Sequence, residues 1–386
     1  LKLLGMGSRV ANAVVILAAL LWFAFRARDV GWLEACAELL GVAHTEAYIK
    51  WRDSYAPRHR KLFQGVLQKE WLDASLAAAL DNATHRAEAL RLLARQEGHG
   101  VFTLPLFSSG FCEMITEEVA HFQASGHRSP LPNSMNEHGV VLEAVGMGKL
   151  MTEIREQLLS PLSSAFYGSL EQQVDLRGER SYAQRSLEVD GKQASEIDAS
   201  RCCDDHHAFT VRYAASEQPG LDMHHDDADV TLNVCLSASV DLEGSGLSFC
   251  GIVGASDHRK HRFTLQHQVG RAVVHLGVQR HGADDVRAGT RQNLIMWGRT
   301  RRQNGDEKCL QRHDEEPTPD LECLSWTHDP DFTVYRELPA AAVKKQQEQK
   351  DAEQLMAYVQ AATEEQVAQL PEDYQPVVRL LKHMYS

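Results

Sequence analysis

Leu221-Asp222-Met223-His224-His225-Asp226-Asp227-Ala228-Asp229-Val230-Thr231-Leu232-Asn233-Val234 is the stretch on which the reading of this chain turns. Its second half is rich in β-branched and apolar residues, as in a strand, and side chains at i and i+2 of a strand share a face. Read as one strand without a bulge, its even positions run Ala228, Val230, Leu232, Val234 and Leu236. The odd positions run Asp229, Thr231, Asn233 and Cys235. The apolar even row is expected to face the interior of the fold. Similar short segments recur around it, at 208–214, 229–237, 246–251, 263–269, 272–276 and 292–299. Turn residues separate them and no helical pattern interrupts, so the region from 208 to 299 reads as an antiparallel sandwich or barrel.

An H-x-D sequence on a strand presents an imidazole and a carboxylate in the same direction, as a metal site requires. Two registers are available, His224 with Asp226 and His225 with Asp227. The even row continues as apolar side chains, so His224 and Asp226 are expected inside the fold. Two histidines and one carboxylate on one face of a metal leave three positions open, the arrangement of non-haem Fe(II) oxygenases. The third donor has to come from a distant strand, and His275 and His281 are the candidates. A co-substrate such as 2-oxoglutarate needs a cation for its far carboxylate, and arginine offers a planar fork for that purpose. Arg291 lies ten residues after His281 and opens the next strand, so a hairpin would set the two side by side. His281 is therefore preferred, and His275 is left as a wall residue.

Taken with Pro132-Asn133-Ser134-Met135-Asn136, Ala208-Phe209-Thr210-Val211-Arg212-Tyr213 and Gln279-Arg280-His281-Gly282-Ala283, the chain from about 101 to 300 resembles a known family. It is similar to the 2-oxoglutarate and iron-dependent oxygenase domain-containing protein 2 family, in the prolyl 4-hydroxylase-like branch of the Fe(II)/2-oxoglutarate-dependent dioxygenases. The resemblance implies an α+β fold with a double-stranded β-helix (jelly-roll) core and flanking helices. It implies iron on His224, Asp226 and His281, 2-oxoglutarate on Arg291, and a further donor at Tyr213, where a half-buried strand tyrosine is the plainer reading. Ascorbate is the reductant expected with such a centre. O₂ and 2-oxoglutarate are the expected co-substrates, and a protein side chain such as Pro or Lys is the expected site of hydroxylation. A small-molecule dioxygenase and a non-catalytic metal-binding interaction module are the alternatives. This sequence departs from the family's usual pattern at His225, in place of an aromatic, and at Gly244-Ser245-Gly246, in place of a double glycine. Asn133 and Asn136 fit either a cleft wall or a turn.

Outward from this core the chain is less informative. Residues 1–28 hold an apolar run at 10–25 flanked by Lys2, Arg9, Arg26 and Arg28. It is shorter than the roughly 20 residues of a spanning helix, yet its basic flanks fit a short signal anchor, with a buried first helix as the other reading. Location stays open between an endomembrane, such as the endoplasmic reticulum, and the cytoplasm. Residues 29–100 carry helical spacing, 169–205 read as a polar insertion, and 336–386 as a helical tail broken at Pro371 and Pro376. This leaves 101–335 as the expected catalytic domain, with its core at 206–300. The specificity loops are expected at 127–148 and 252–262. A net charge of −13 over 386 residues argues against a nucleic-acid partner. The eight cysteines contain no C-x-x-C pair, so neither a zinc ribbon nor a small disulfide framework is indicated.

Overall fold

Apolar residues take every second position from Val230 to Leu236, but both faces of this strand are buried. The computed structural model describes residues 54–127, 129–167, 203–253, 257–299 and 318–369, with residues 375, 378, 379 and 382. The candidate anchor at 10–25, most of the polar stretch at 169–205 and most of the chain beyond 370 lie outside the described residues. Among the described residues no helix is long and apolar enough to cross a membrane. One compact unit spans Trp51–Arg336, and the described residues from Glu337 onward belong to a second.

In chain order the strands are β1 (Arg95–Gly98), β2 (Val101–Pro105), β3 (Gly139–Val141), β4 (Asp205–Ala214), β5 (Leu221–His224), β6 (Val230–Ala238) and β7 (Glu243–Gly244). They continue as β8 (Leu247–Ile252), β9 (Phe263–Leu265), β10 (Arg271–Leu276), β11 (Gln279–Ala283), β12 (Val286–Ala288) and β13 (Thr290–Arg299). A seven-stranded sheet runs β1-β2-β10-β6-β13-β4-β3 and a four-stranded sheet runs β5-β11-β8-β9, while β7 pairs with β12. All pairings given by their registers are antiparallel. Phe249 and Leu247 of the smaller sheet pack on Val101 and Val273 of the larger, so the inner faces of the two sheets meet.

Helices cover the outer face of the large sheet. They are α1 (Ala74–Asp81), α2 (Arg86–Leu93), α3 (Ser109–Ala124), α4 (Leu142–Val145), α5 (Gly148–Ile154) and α6 (Ser160–Tyr167), the last two joined by a π turn at Arg155–Leu159. The 3₁₀ turns at Arg60–Phe63 and Lys69–Trp71 precede them. The side chain of Ser108 caps α3 by accepting from the Phe111 amide, which satisfies one of the amides a helix start leaves open. Phe111, Cys112, Ile115, Val119 and Phe122 then recur at helical spacing on one buried face. That face shares a core with Leu62, Trp71, Leu76 and Leu90, so the region 54–100 packs into the same unit. Glu118 sits on this face at 0% exposure and accepts from the Tyr55 hydroxyl and the amides of Arg58 and His59.

Val230, Leu232, Val234 and Leu236 of β6 belong to this helix-facing core, together with Ala272 and Val274 of β10 and Leu294 and Met296 of β13. The even row of β6 therefore faces the helices, and the expectation that it lines the interior between the sheets is wrong. The inner row is the polar one, Thr231 and Asn233. In the second unit, α8 (Ala340–Ala361) and α9 (Glu364–Ala368) are helical, and Thr363 and Gln366 form a capping box at the start of α9. After β13, the described chain resumes with a 3₁₀ turn at Leu321–Cys323 and α7 (Phe332–Tyr335), tied to β8 by a Cys250–Cys323 disulfide.

Candidate metal centre

His224 is the last residue of β5, and Asp226 lies in the turn that carries the chain from the small sheet to the large one. The single uninterrupted strand read through His224 to Val234 is not what forms. The chain leaves one sheet after His224 and enters the other at Val230, turning His224 and Asp226 toward the same space from two directions. This turn is pinned from outside. The Asp226 amide donates to the Gly277 carbonyl at 2.9 Å, and the Gly277 amide donates to the Asp229 carbonyl at 3.0 Å. A Cβ on Gly277 would lie 1.8 Å from the Ala228 carbonyl oxygen, so only glycine allows this approach.

His281 enters from β11, paired directly opposite His224 across the small sheet. The rings of His224 and His281 are 4.3 Å apart between centroids. The Nε2 of His224 is 3.6 Å from Asp226 Oδ1, and the Nε2 of His281 is 3.6 Å from Asp226 Oδ2. Ligand atoms of these three buried residues all lie within 4.8 Å of one another. The Nδ1 of His224 is 2.7 Å from the Asp222 carbonyl and that of His281 is 2.9 Å from the Gln279 carbonyl. Carbonyls only accept, so both Nδ1 atoms carry the proton and both Nε2 lone pairs are free for a metal. The donor set suits iron(II): two neutral imidazoles and one carboxylate on one side of a cavity.

The electrostatics favour an ionised Asp226. Burial opposes ionisation of Asp226, but the imidazoles of His281 and His224 overcome it and hold the carboxyl well below its ordinary range. Burial pushes His281 well below the usual histidine value. Thr231 Oγ1 donates to Asp226 Oδ2 at 2.6 Å, fixing the carboxylate. Thr231 escaped the sequence reading because the strand was turned the wrong way round in it. His275 is a fully buried wall residue of β10, with its Nε2 3.9 Å from Asp226 Oδ2 and outside the close group of three. The alternative register does not reach the centre, since His225 and Asp227 are exposed at the cavity's edge and Asp227 pairs with Arg299.

A cavity of about 220 Å³ between the sheets is lined by this group, Tyr213 and Arg291. Arg291 does not sit beside His281 in a hairpin, as expected; β11 and β13 lie in different sheets, and the two residues share the cavity from opposite walls. Arg291 is 2% exposed, and its Nε and Nη1 have no hydrogen-bond partner among the described residues. Its Cζ stands 5.0 Å from the centroid of the Tyr213 ring. Burial lowers the Arg291 pKa from its ordinary value and raises that of Tyr213, a rise that Arg291 opposes. Of the two expected specificity loops, 127–148 contributes Asn133, Ser134, Met135 and Asn136 to the wall, whereas no described residue of 252–262 reaches it.

His328 also lines the cavity, and nothing in the sequence pointed to it. The strap that carries it is bound to both histidine-bearing strands. Asp222 accepts from Ser325 and Thr327. Arg280, next to His281, donates to the Cys323 carbonyl at 2.9 Å and to Asp329 at 2.6 Å.

With this geometry in place, similarity to known proteins becomes informative. Residues 51–172 match the OGFOD2-like domain family. The mouse (Mus musculus) protein named 2-oxoglutarate and iron-dependent oxygenase domain-containing protein 2 is 31% identical over 249 residues, spanning 63% of this chain and 63% of its own length. The chain is similar to the 2-oxoglutarate and iron-dependent oxygenase domain-containing proteins. The human protein of the same name is 30% identical over 249 residues, again 63% of each chain. An Arabidopsis thaliana oxygenase domain-containing protein, CP2, is 27% identical over 266 residues, 67% of this chain and 59% of its own. The chain spans less than two thirds of the length of these curated relatives. The OGFOD2-like segment begins at residue 51, well before residue 101, where the sequence resemblance was read to start. Among solved structures, a Pseudomonas putida prolyl-4-hydroxylase is similar with a TM-score of 0.33 and 15% identity, over 60% of this chain and 98% of that one.

Proposed function

We propose that this chain is an Fe(II)/2-oxoglutarate-dependent dioxygenase with a double-stranded β-helix core, in a catalytic domain at 101–335 on which the helices of 54–100 pack. In this reading His224, Asp226 and His281 hold iron(II), and Arg291 with Tyr213 holds the distal carboxylate of 2-oxoglutarate. The observation that carries it is one cavity containing both a buried His/Asp/His donor group and a buried guanidinium without a hydrogen-bond partner among the described residues. A metal alone would not call for that arginine. A site for a small dicarboxylate that chelates at one end and is held by its charge at the other calls for both.

Iron(II) bound there supplies O₂ activation, coupled to conversion of 2-oxoglutarate to succinate and CO₂ and to hydroxylation of a C–H bond. The protein's part is positional. Thr231 fixes the carboxylate of Asp226, and the backbone carbonyls of Asp222 and Gln279 fix the imidazole tautomers. Arg291 and Tyr213 set the orientation of the co-substrate from the opposite wall. Phe209, Ile295 and Trp297 line the cavity and limit the water that reaches it. Hydroxylation of a protein side chain such as Pro or Lys, with ascorbate keeping iron reduced, follows the branch that the sequence resembles.

The test is an anaerobic titration of the full chain with Fe(II) and 2-oxoglutarate, followed by exposure to O₂ and assay of succinate. Binding of both and oxygen-dependent succinate release are expected, and each of His224→Ala, Asp226→Ala and His281→Ala should abolish them. His225→Ala should keep them. Peptide pools screened by mass shift then separate a protein substrate from a small molecule, and a chain that binds iron but never 2-oxoglutarate sinks the reading.

A further inference from the structure

The segment Asn133-Ser134-Met135-Asn136 lines the cavity but has no part in the metal or carboxylate site as described above. The direction of its hydrogen bonds follows by elimination. One amide atom of Asn133 is 2.9 Å from the backbone nitrogens of both Met135 and Asn136. Backbone N–H groups only donate, so that atom is Oδ1. The Nδ2 of Asn133 is then the atom that reaches Asn136, at 2.9 Å, and what it reaches must be Oδ1. This leaves the Nδ2 of Asn136 facing the Tyr213 hydroxyl at 3.3 Å.

Asn136 and Tyr213 are 3% and 5% exposed, so this bond is made away from solvent. The Tyr213 oxygen is therefore an acceptor toward Asn136, and its own proton is left to donate elsewhere. Arg291, 5.0 Å from the ring centroid, is a donor only and cannot receive it. The hydroxyl proton joins the unpartnered Nε–H and Nη1–H of Arg291 as a donor without an acceptor among the described residues.

We propose that Asn136 is a positioning residue that commits the Tyr213 hydroxyl to donate to the carboxylate of the bound co-substrate, with Asn133 holding the Asn136 amide in the required orientation. The inference rests on the reading of Arg291 as the 2-oxoglutarate anchor. A turn-forming role alone would explain the bonds of Asn133 but not the amide that Asn136 presents to a buried tyrosine.

The test is calorimetric titration of 2-oxoglutarate into the full chain loaded with Mn(II), for the unsubstituted protein, Asn136→Ala, Tyr213→Phe and the double variant. Each single change should weaken binding about five- to tenfold, as for loss of one hydrogen bond. The double variant should be no weaker than Tyr213→Phe alone, because the effect of Asn136 passes through that hydroxyl. Mn(II) affinity, read from the free-ion electron paramagnetic resonance signal, should be the same in all four. Asn136→Asp keeps the shape and the bond from Asn133 but can only accept, so it should draw the Tyr213 proton to itself and weaken binding more than Asn136→Ala does. Unchanged affinity in Asn136→Ala and Asn136→Asp, or an equal loss with and without the Tyr213 hydroxyl, overturns the proposal. An unsubstituted protein that takes up Mn(II) but not 2-oxoglutarate overturns the underlying functional reading instead.

Discussion

Replacing Arg291 with methionine should move stability and ligand binding in opposite directions. At 2% exposure, with Nε and Nη1 unpartnered among the described residues, the guanidinium is held in the fold at a cost to the free protein. An unsatisfied buried donor costs about 1–3 kcal/mol. Two of them sum to about 2–6 kcal/mol, against which the smaller methionine leaves space worth about 1 kcal/mol per methyl group. A net stabilisation of the metal-free protein by about 1–3 kcal/mol is the expected outcome. With a urea m-value of about 3 kcal/mol/M the unfolding midpoint should rise by roughly 0.3–1 M. The same change removes one partner of a buried charge pair in the loaded protein, a loss of about 2–5 kcal/mol. At 1.4 kcal/mol per decade, 2-oxoglutarate affinity should fall by roughly 30- to 4,000-fold. Urea unfolding of the metal-free variant and calorimetric titration of its Mn(II) form measure the two effects. A variant that is less stable than the parent and binds 2-oxoglutarate as well would show that Arg291 is a satisfied structural group, and the argument from its missing partner would fail.

Two further outcomes follow from the turn and from the buried histidines. Gly277→Ala places a Cβ 1.8 Å from the Ala228 carbonyl, so it should destabilise the protein by roughly 2–4 kcal/mol and weaken Mn(II) binding by shifting Asp226; an unaltered melting temperature and metal affinity would contradict the pinning role. Burial holds the folded-state pKa of His275 and His281 below the ordinary 6.5, so below that value the unfolded chain binds more protons than the folded one. Stability of the metal-free protein should therefore be lost as pH falls from about 7 toward about 5, with metal affinity falling in the same window as protons compete for the imidazoles. The ionised Asp226, whose pKa is lowered from 3.8, adds a loss only at more acid pH. A melting temperature flat across the upper window would refute the assignment of these histidines as buried and neutral.

The antiparallel arrangement was legible because turn residues punctuate short β-rich runs between 208 and 299, and β4, β6, β10 and β13 formed close to where those runs lie. The short strands β5 and β11, which bear His224 and His281, were not, because strands of four and five residues between turns leave little periodicity to read. The proposed metal donors could be picked out for a different reason: H-x-D, a later histidine and an arginine form a chemical pattern that does not depend on the local structure, and the three residues chosen do lie together. The strap that carries Ser325, Thr327 and His328 had no such pattern. Its place is set by long-range bonds, from Asp222 to Ser325 and Thr327 and from Arg280 to Asp329, separated by 103, 105 and 49 residues in sequence. Local propensity carries no trace of contacts at that range.

The register of His224 and Asp226 was reached through a premise that the fold reverses, and the reversal explains where polar residues belong in such a sheet. Inward and outward are distinguishable by hydrophobicity only when one face of a strand meets water. Helices α3, α5 and α6 cover the outside of the large sheet, so the apolar row of β6 serves that interface. The inner face then carries Thr231 and Asn233 on β6, with Arg291 and Asn293 on β13, and these are cavity-lining residues. Burying such groups is costly unless they are paired. Thr231 is paired with Asp226 and the Nδ2 of Asn293 with Asn233, whereas Asn293 Oδ1, Trp297 Nε1 and the Nε and Nη1 of Arg291 have no partner among the described residues, and of these only Arg291 is charged. In a strand buried on both faces, the polar row therefore marks the cavity, and a charged member of that row left without a partner is the place to look for a ligand's opposite charge.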